Sequence, residues 1–383
     1  MIVKAMRKIV VIPDSFKECL SSEDVCSIVE NVVNMFVSDA EVINVPIADG
    51  GEGTASVIID NLGGCFKTVA VRNPMGTVVD ASYGITKDNA AVIEVAAASG
   101  LTLVAAAERN PMLASSYGTG QLMMDAFHNG ITDFIIALGG SATNDGGLGL
   151  LAALGFLFYD YNNHLLEPLP CNLDKISYID SKDVDAGWQK CNIQVLCDVD
   201  NVLCGKNGAT AVFGKQKGAD EIMAEQLEAG LHNLATVLKK QYKADVKTIK
   251  GGGAAGGIGA ALNIIMNAQL YMGAEFLLNI VGFDNMLNDA SLIITGEGII
   301  DEQTLHGKVP FSVAEHAKAK NVPVIFVAGK ITLSVNKLYS IGVVASAQTM
   351  HSRMSVEESI SQVKDFLPKA VRLALFKWMG ITK

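Results

Sequence analysis

Basic residues are scarce in this chain. Thirty Lys and Arg stand against 40 Asp and Glu, leaving a formal net charge of −10. Nucleic acid demands a basic face, so a nucleic-acid partner is excluded. Half the residues are hydrophobic, yet no uninterrupted apolar run approaches the roughly 20 residues needed to span a bilayer. No membrane partner is therefore expected. The opening Met1-Ile-Val-Lys-Ala-Met-Arg-Lys-Ile9 lacks the long apolar region and small-residue cleavage site of a secretion signal. A cytoplasmic location is the expectation. Seven cysteines, at 19, 26, 65, 171, 191, 197 and 204, include no Cys-x-x-Cys pair, and the six histidines show no metal-ligand spacing. Neither a zinc site nor a disulfide framework is expected. Cys197 reads as a buried small hydrophobe. Internal repeats and low-complexity segments are absent.

At 383 residues the chain exceeds a typical single core, so two domains are expected. Short β-rich runs alternate with helical segments, the mark of α/β architecture. Strands are expected at 8–13, 41–46, 66–71, 90–95, 133–138, 193–198, 291–295 and 322–328. Ser22 to Val37 reads as a helix with Val25, Ile28, Val29, Val32 and Phe36 on one face, and Ser21 with Asp24 reads as its capping box. Further helices are expected at 118–130, 220–242 and 355–379. The glycine-punctuated stretch 64–95 looks like a transition between units, and 160–190 like a long irregular connection.

The most informative stretch is Phe134-Ile-Ile-Ala-Leu-Gly-Gly-Ser-Ala-Thr-Asn-Asp-Gly-Gly147. An apolar run ends in a loop of glycine, hydroxyl, amide and carboxylate groups, and the apolar Leu148 to Leu154 follows as the start of a helix. Such a loop presents unpaired backbone N–H groups and the positive end of a helix dipole. Its glycines let the backbone approach an anion closely. Ser141 and Thr143 add hydroxyl donors, and Asp145 is a candidate metal ligand. Four more polar loops follow apolar runs: Asp14-Ser-Phe-Lys17, Asp49-Gly-Gly-Glu-Gly-Thr54, Asp198-Val-Asp-Asn201 and Gly296-Glu-Gly-Ile-Ile-Asp301. In open α/β sheets ligands bind outside the carboxyl ends of the strands, so five such loops point to a phosphoryl-handling enzyme. An acidic protein that binds an anion must concentrate positive groups locally. Backbone amides, Mg²⁺ and Lys17, Lys217 and Lys308 are the candidates.

Other motifs narrow the class. Gly-Lys occurs at 205, 214, 307 and 329, never followed by Ser or Thr, so there is no Walker A loop. The protein-kinase set and the Gly-x-Ser-x-Gly elbow are missing too. Gly251-Gly-Gly-Ala-Ala-Gly256 satisfies the dinucleotide pattern, but Ala244 to Lys250 before it is a poor buried strand.

These motifs together resemble the type I glycerate kinase family. The resemblance runs in order through Pro13-Asp-Ser-Phe-Lys17, Ala48-Asp-Gly-Gly-Glu-Gly-Thr54, Glu94-Val-Ala-Ala-Ala-Ser-Gly100, Ser116-Tyr-Gly-Thr-Gly120 and Gly139 to Gly147. It continues with Cys197-Asp-Val-Asp-Asn201, Val212-Phe-Gly-Lys-Gln-Lys-Gly218, Ala254-Ala-Gly-Gly257 and Thr295-Gly-Glu-Gly298. Asp301, Gln303, Thr304, Gly307 and Lys308 complete it, so most of the chain is covered. Lys206 and Lys215 depart from the family, which often has proline there.

The resemblance implies two α/β domains, the second inserted into a discontinuous first, with the active site in the cleft between them. Boundaries are expected at 1–75 with 288–383 for the discontinuous domain and 76–287 for the insert. The implied reaction moves the γ-phosphoryl group of ATP to D-glycerate with Mg²⁺, giving 2-phosphoglycerate, with 3-phosphoglycerate as the alternative. Nucleotide binding is expected at Gly139, Gly140, Ser141, Thr143, Asn144 and Gly146, and at Gly296, Glu297 and Gly298. Asp198, Lys17, Asp49 and Lys308 are the candidate catalytic residues. Asp198, Asp200 and Asp301 are the candidate metal ligands, and the sequence does not rank the carboxylates among these roles. A homo-oligomer is compatible with all of this. Two other readings stay open from sequence alone: a kinase-derived glycerate or nucleotide sensor without turnover, and a nicotinamide oxidoreductase built on Gly251 to Gly256.

Overall fold

The computed structural model describes residues 8–16, 19–37, 39–351 and 354–381. Its main strands are, in chain order, β1 (Lys8–Val11), β2 (Glu41–Asn44), β3 (Gly64–Arg72), β4 (Val78–Thr86), β5 (Ala90–Glu94) and β6 (Asp133–Ala137). They continue with β7 (Asn192–Leu196), β8 (Gln269–Tyr271), β9 (Leu292–Thr295), β10 (Val324–Ala328) and β11 (Val343–Gln348). The fold is mixed α/β, as the sequence indicates. The chain divides into two compact units: one takes the chain up to Asp49 and again from Ala274 onward, and the other is Gly50–Gly273.

The first unit holds a five-stranded sheet in the order β11-β10-β9-β1-β2, parallel throughout. Its central strands read as continuous apolar runs, Leu-Ile-Ile-Thr in β9 and Val-Ile-Phe-Val-Ala in β10, and every residue in both is buried. That is what a parallel sheet covered on both faces requires. Val25, Val29, Val32 and Val33 of the helix Ser22–Phe36 join Leu367, Val371 and Leu375 of the helix Val363–Met379 in this unit's core. The Ser21 hydroxyl accepts from the Asp24 amide at 3.1 Å, an ordinary N-cap.

The second unit holds a six-stranded sheet in the order β8-β7-β6-β5-β4-β3. Strands β5 to β8 run parallel, and β3 and β4 extend them antiparallel. Residues 160–190, expected as an irregular connection, contribute to a small three-stranded sheet of Leu157–Tyr159, Leu165–Leu166 and Tyr178–Asp180. The expected helix 355–379 is two helices, Val356–Ser361 and Val363–Met379, interrupted at Gln362.

The expected domain boundaries after 75 and before 288 are displaced. Gly64–Arg72 pairs with Val78–Thr86 along a nine-residue ladder, which commits residues 50–75 to the second unit. At the other end, Phe283 packs beside His316, with ring centroids 6.1 Å apart, and so belongs to the first unit.

Candidate functional site

In the first unit, β1 is followed by β2 on one side and has β9 on the other. The loops leaving β1 and β9 therefore open on a topological switch point, where open α/β sheets bind their ligands. Two bonds tie these loops together. The Asp14 amide donates to the Gly296 carbonyl at 2.9 Å, and the Thr295 hydroxyl donates to the Ile12 carbonyl at 2.7 Å. Gly296 is demanded by this packing, since a Cβ there would lie 1.7 Å from the Val327 carbonyl oxygen.

Glu297, next in the loop, is only 5% exposed. Its Oε1 accepts from the Thr304 hydroxyl at 2.6 Å and its Oε2 from the Lys308 ammonium at 3.3 Å. Burial raises its pKa, with Lys308 and Thr304 opposing the rise and the negative charge of Asp49 adding to it. Asp49, Glu297 and Lys308 thus share one electrostatic neighbourhood beside the loops that leave β2 and β9. Asp301 is tied into its own turn, accepting from the Gln303 amide at 2.8 Å. Lys17 lies outside the described residues.

In the second unit, the Gly139–Gly147 loop leaves β6. Several of its amides are already engaged: Ala142 to the Ser99 carbonyl and Gly146 to the Gly256 carbonyl, both at 2.9 Å, and Gly147 to Asp145 Oδ1 at 3.0 Å. Thr143 and Asn144 are fully buried, and Gly146 is buried with them. Their geometry gives them a framework role behind the loop. The edge open to solvent consists of Gly139 and Gly140, with Ser141 just beneath.

Asp145, a candidate metal ligand from sequence, is instead the loop's internal anchor. It is fully buried, and its Oδ2 accepts from the Ser116 amide, the Ser116 hydroxyl and the Gly149 amide at 2.7–3.1 Å. Burial raises its pKa against these donors. No face is left for an ion.

Lys217 supplies the positive charge. It is 3% exposed, and its ammonium donates to the Ser141 hydroxyl at 3.0 Å and the Thr143 carbonyl at 2.6 Å. Burial lowers its pKa to about 7, with Asp145 partly offsetting the fall. Its neighbours Gly214 and Gly218 were the sequence signal for it; what sequence cannot display is that it lies buried under the loop.

The Gly50–Gly53 loop meets this one, and the Asp198 turn lies beside the Gly50–Gly53 loop. A Cβ on Gly139 would lie 2.5 Å from Gly51 Cα, so the Gly50–Gly53 loop passes backbone to backbone against it. Asp198, just beyond β7, accepts from the Gly273 amide at 2.6 Å, and a Cβ on Gly50 would touch Gly273 and Leu196. Asp200 is exposed on the same turn. Glu94, to which the sequence reading gave no role, ends β5 and accepts from the Ala55 amide at 2.7 Å. It anchors the first turn of the helix Thr54–Leu62, and burial raises its pKa.

The dinucleotide-like Gly251 to Gly256 is buried throughout and follows no strand. A Cβ on Gly256 would lie 2.1 Å from the Thr143 carbonyl oxygen, so Gly256 packs against the Gly139–Gly147 loop, while Gly251 and Gly253 pack against Cys197 and Val202. Cys197 is buried, with its thiol pushed up to about 12 by burial. Among the described residues, no helix is long and apolar enough to cross a membrane.

This arrangement defines an α/β protein whose glycine-rich loops and buried lysine suit anionic ligands. The glycerate kinase family model matches residues 9–378. Glycerate 2-kinase of Escherichia coli K12 is 42% identical over 366 residues, covering 95% of this chain and 96% of that protein. Glycerate kinase of Bacillus subtilis strain 168 is 38% identical, covering 95% and 96%. A crystal structure from Salmonella typhimurium LT2, of a protein provisionally named glycerate kinase 2, superposes with a TM-score of 0.79 at 40% identity. It covers 98% of this chain and 99% of that one. The chain belongs to the glycerate kinase family and is a kinase enzyme.

Proposed function

We propose that this protein transfers the γ-phosphoryl group of ATP to the 2-hydroxyl of D-glycerate, giving 2-phosphoglycerate. The 3-hydroxyl is the alternative acceptor. The setting proposed is the cytoplasmic breakdown of glyoxylate and sugar acids. The observation that carries the reading is the buried Lys217 ammonium braced against Ser141, directly behind the open edge of a glycine loop. An acidic chain needs such a local positive charge to hold phosphate. The substrate and position follow the names of the relatives, glycerate 2-kinase among them.

Phosphoryl transfer asks a protein for alignment and charge neutralisation more than for covalent chemistry. Gly139, Gly140 and Ser141 receive nucleotide phosphate oxygens through their amides, while Thr143, Asn144 and Gly146 hold the loop in shape. Gly296, Glu297 and Gly298 form the second nucleotide-binding loop, and Lys308 and Lys17 offset charge on the reacting groups. Asp198 and Asp200, with Asp301, are the proposed Mg²⁺ ligands. Carboxylate oxygens suit this hard cation, and the Gly273 amide fixes the Asp198 carboxylate in orientation. When bound, Mg²⁺ supplies charge neutralisation on the phosphate oxygens. Asp198 and Asp49 are the proposed acceptors of the glycerate hydroxyl proton.

A coupled assay of ADP release tests the reading. ADP release that requires D-glycerate, ATP and Mg²⁺ together is expected. Binding without turnover would instead make the protein a sensor, and fluorescence titration with reduced nicotinamide is expected to show no binding.

A further inference from the structure

We propose that Cys204, Glu228 and His232 form a binding site for a transition-metal dication of the zinc class, built from residues that take no part in the phosphoryl-transfer proposal. Spacing along the chain hides this site, so the sequence alone predicts none. Glu228 and His232 lie four residues apart on the helix Glu221–Tyr242, so they project from the same face one turn apart. Cys204 arrives from the loop beyond β7. The buried Leu203 and the Ala209 amide, which donates to the Leu203 carbonyl at 3.2 Å, hold that loop against the core.

One ligand atom from each of the three residues lies within 4.8 Å of the others. Cys204 Sγ and His232 Nδ1 are 3.5 Å apart. Tetrahedral zinc, with bonds of about 2.3 Å to sulfur and 2.0–2.1 Å to nitrogen, sets those two atoms roughly 3.5 Å apart. Thiolate, imidazole and carboxylate together favour zinc over magnesium or calcium.

A second observation asks for a ligand. Glu228 Oε1 accepts from the Gly205 amide, but Oε2 is buried with no hydrogen-bond partner among the described residues. A buried carboxylate oxygen left unpaired is costly, and a cation would satisfy it. Access exists as well. His232, with 47% of its side chain exposed, lines a cavity of about 460 Å³ together with Thr236, Lys239, Asp245 and Lys247. Two lysines face this cavity. Lys239 is paired with Asp245 at 3.8 Å. Burial and the Glu228 charge raise the Cys204 pKa, and Lys247 opposes that rise while repelling a dication. Thiolate and carboxylate together carry two negative charges, enough to balance the ion.

The Cys204 S–H bond breaks, a sulfur–metal bond forms and one proton leaves to solvent, while His232 binds as neutral imidazole and Glu228 as carboxylate.

Cobalt(II) alone, titrated into chelator-treated full-length protein, reads out the site directly. One equivalent is expected to give a near-ultraviolet thiolate-to-cobalt charge-transfer band, released by Zn²⁺, with about one proton freed per ion. Cys204→Ser should abolish the band although six other cysteines remain. His232→Asn, at a half-exposed position, should weaken binding at least tenfold without moving the metal-free melting temperature. A wild-type titration without the band, or the same band in Cys204→Ser, would overturn the proposal. Neither result bears on glycerate phosphorylation.

Discussion

The Lys217 ammonium lies 3.0 Å from the Ser141 hydroxyl, so the charge proposed to draw phosphate to the glycine loop sits inside the fold. Lys217→Met keeps the volume and removes the charge. Turnover should fall at least a hundredfold, with KM for ATP raised. Stability should respond to pH in a defined direction. The folded pKa of Lys217 is lowered to about 7 from its ordinary 10.5, so between those values the unfolded chain binds more protons. Stability associated with this group is complete above 10.5, and it is lost as pH falls through 7. Denaturant melts at pH 7 and 9.5 should show wild type gaining stability with pH relative to Lys217→Met. A pH response common to both proteins would contradict the assignment.

Asp198 accepts a 2.6 Å bond from Gly273 that an asparagine oxygen can also accept. Asp198→Asn should therefore leave the thermal melt nearly unchanged. It removes the negative charge proposed for metal and proton handling, so turnover should drop by orders of magnitude. Near-wild-type turnover would take Asp198 out of the mechanism.

Gly139 faces Gly51 with no room for a methyl group, since the added Cβ would lie 2.5 Å from Gly51 Cα. Gly139→Ala should cost about 1–3 kcal/mol through forced backbone movement. KM for ATP should rise with it. A denaturant midpoint equal to wild type would show that the two loops separate freely.

Protonated His316 donates from Nδ1 to Asp284 at 2.7 Å and from Nε2 to Glu275 at 3.0 Å. Burial alone lowers its pKa, but the two carboxylates outweigh burial and the net shift is upward from 6.5. The stabilisation is complete below 6.5 and disappears as pH rises through the folded value. His316→Asn should flatten the stability profile on the alkaline side of pH 6.5, and an unchanged profile would remove the ion pairs from the account.

The parallel cores were legible in sequence because β1, β6, β9 and β10 are uninterrupted apolar runs bounded by polar loops. Antiparallel β4 was not, since Val78 to Thr86 mixes exposed and buried residues and its partner strand lies beyond a turn. That missed ladder also displaced the expected domain boundary. The loops themselves were found by composition, but the division of labour within them was not. Asp145 and Asp198 look alike in sequence, yet one is sealed under Ser116 and Gly149 while the other stands beyond a strand end. Gly251 to Gly256 imitated a dinucleotide fingerprint because close backbone packing and phosphate contact both require glycine. The Cys204–Glu228–His232 group was invisible for a simpler reason: the fold brings together residues that are 24 and 28 positions apart.

Phosphorus NMR of the product from D-glycerate and MgATP distinguishes transfer to the 2-hydroxyl, transfer to the 3-hydroxyl and no transfer. Loss of the ATP γ-resonance is expected, with a new phosphomonoester signal coupled to the single proton on C2. A signal coupled to the two C3 protons would move the phosphate to the other hydroxyl. An unchanged ATP spectrum with folded protein would contradict glycerate phosphorylation itself.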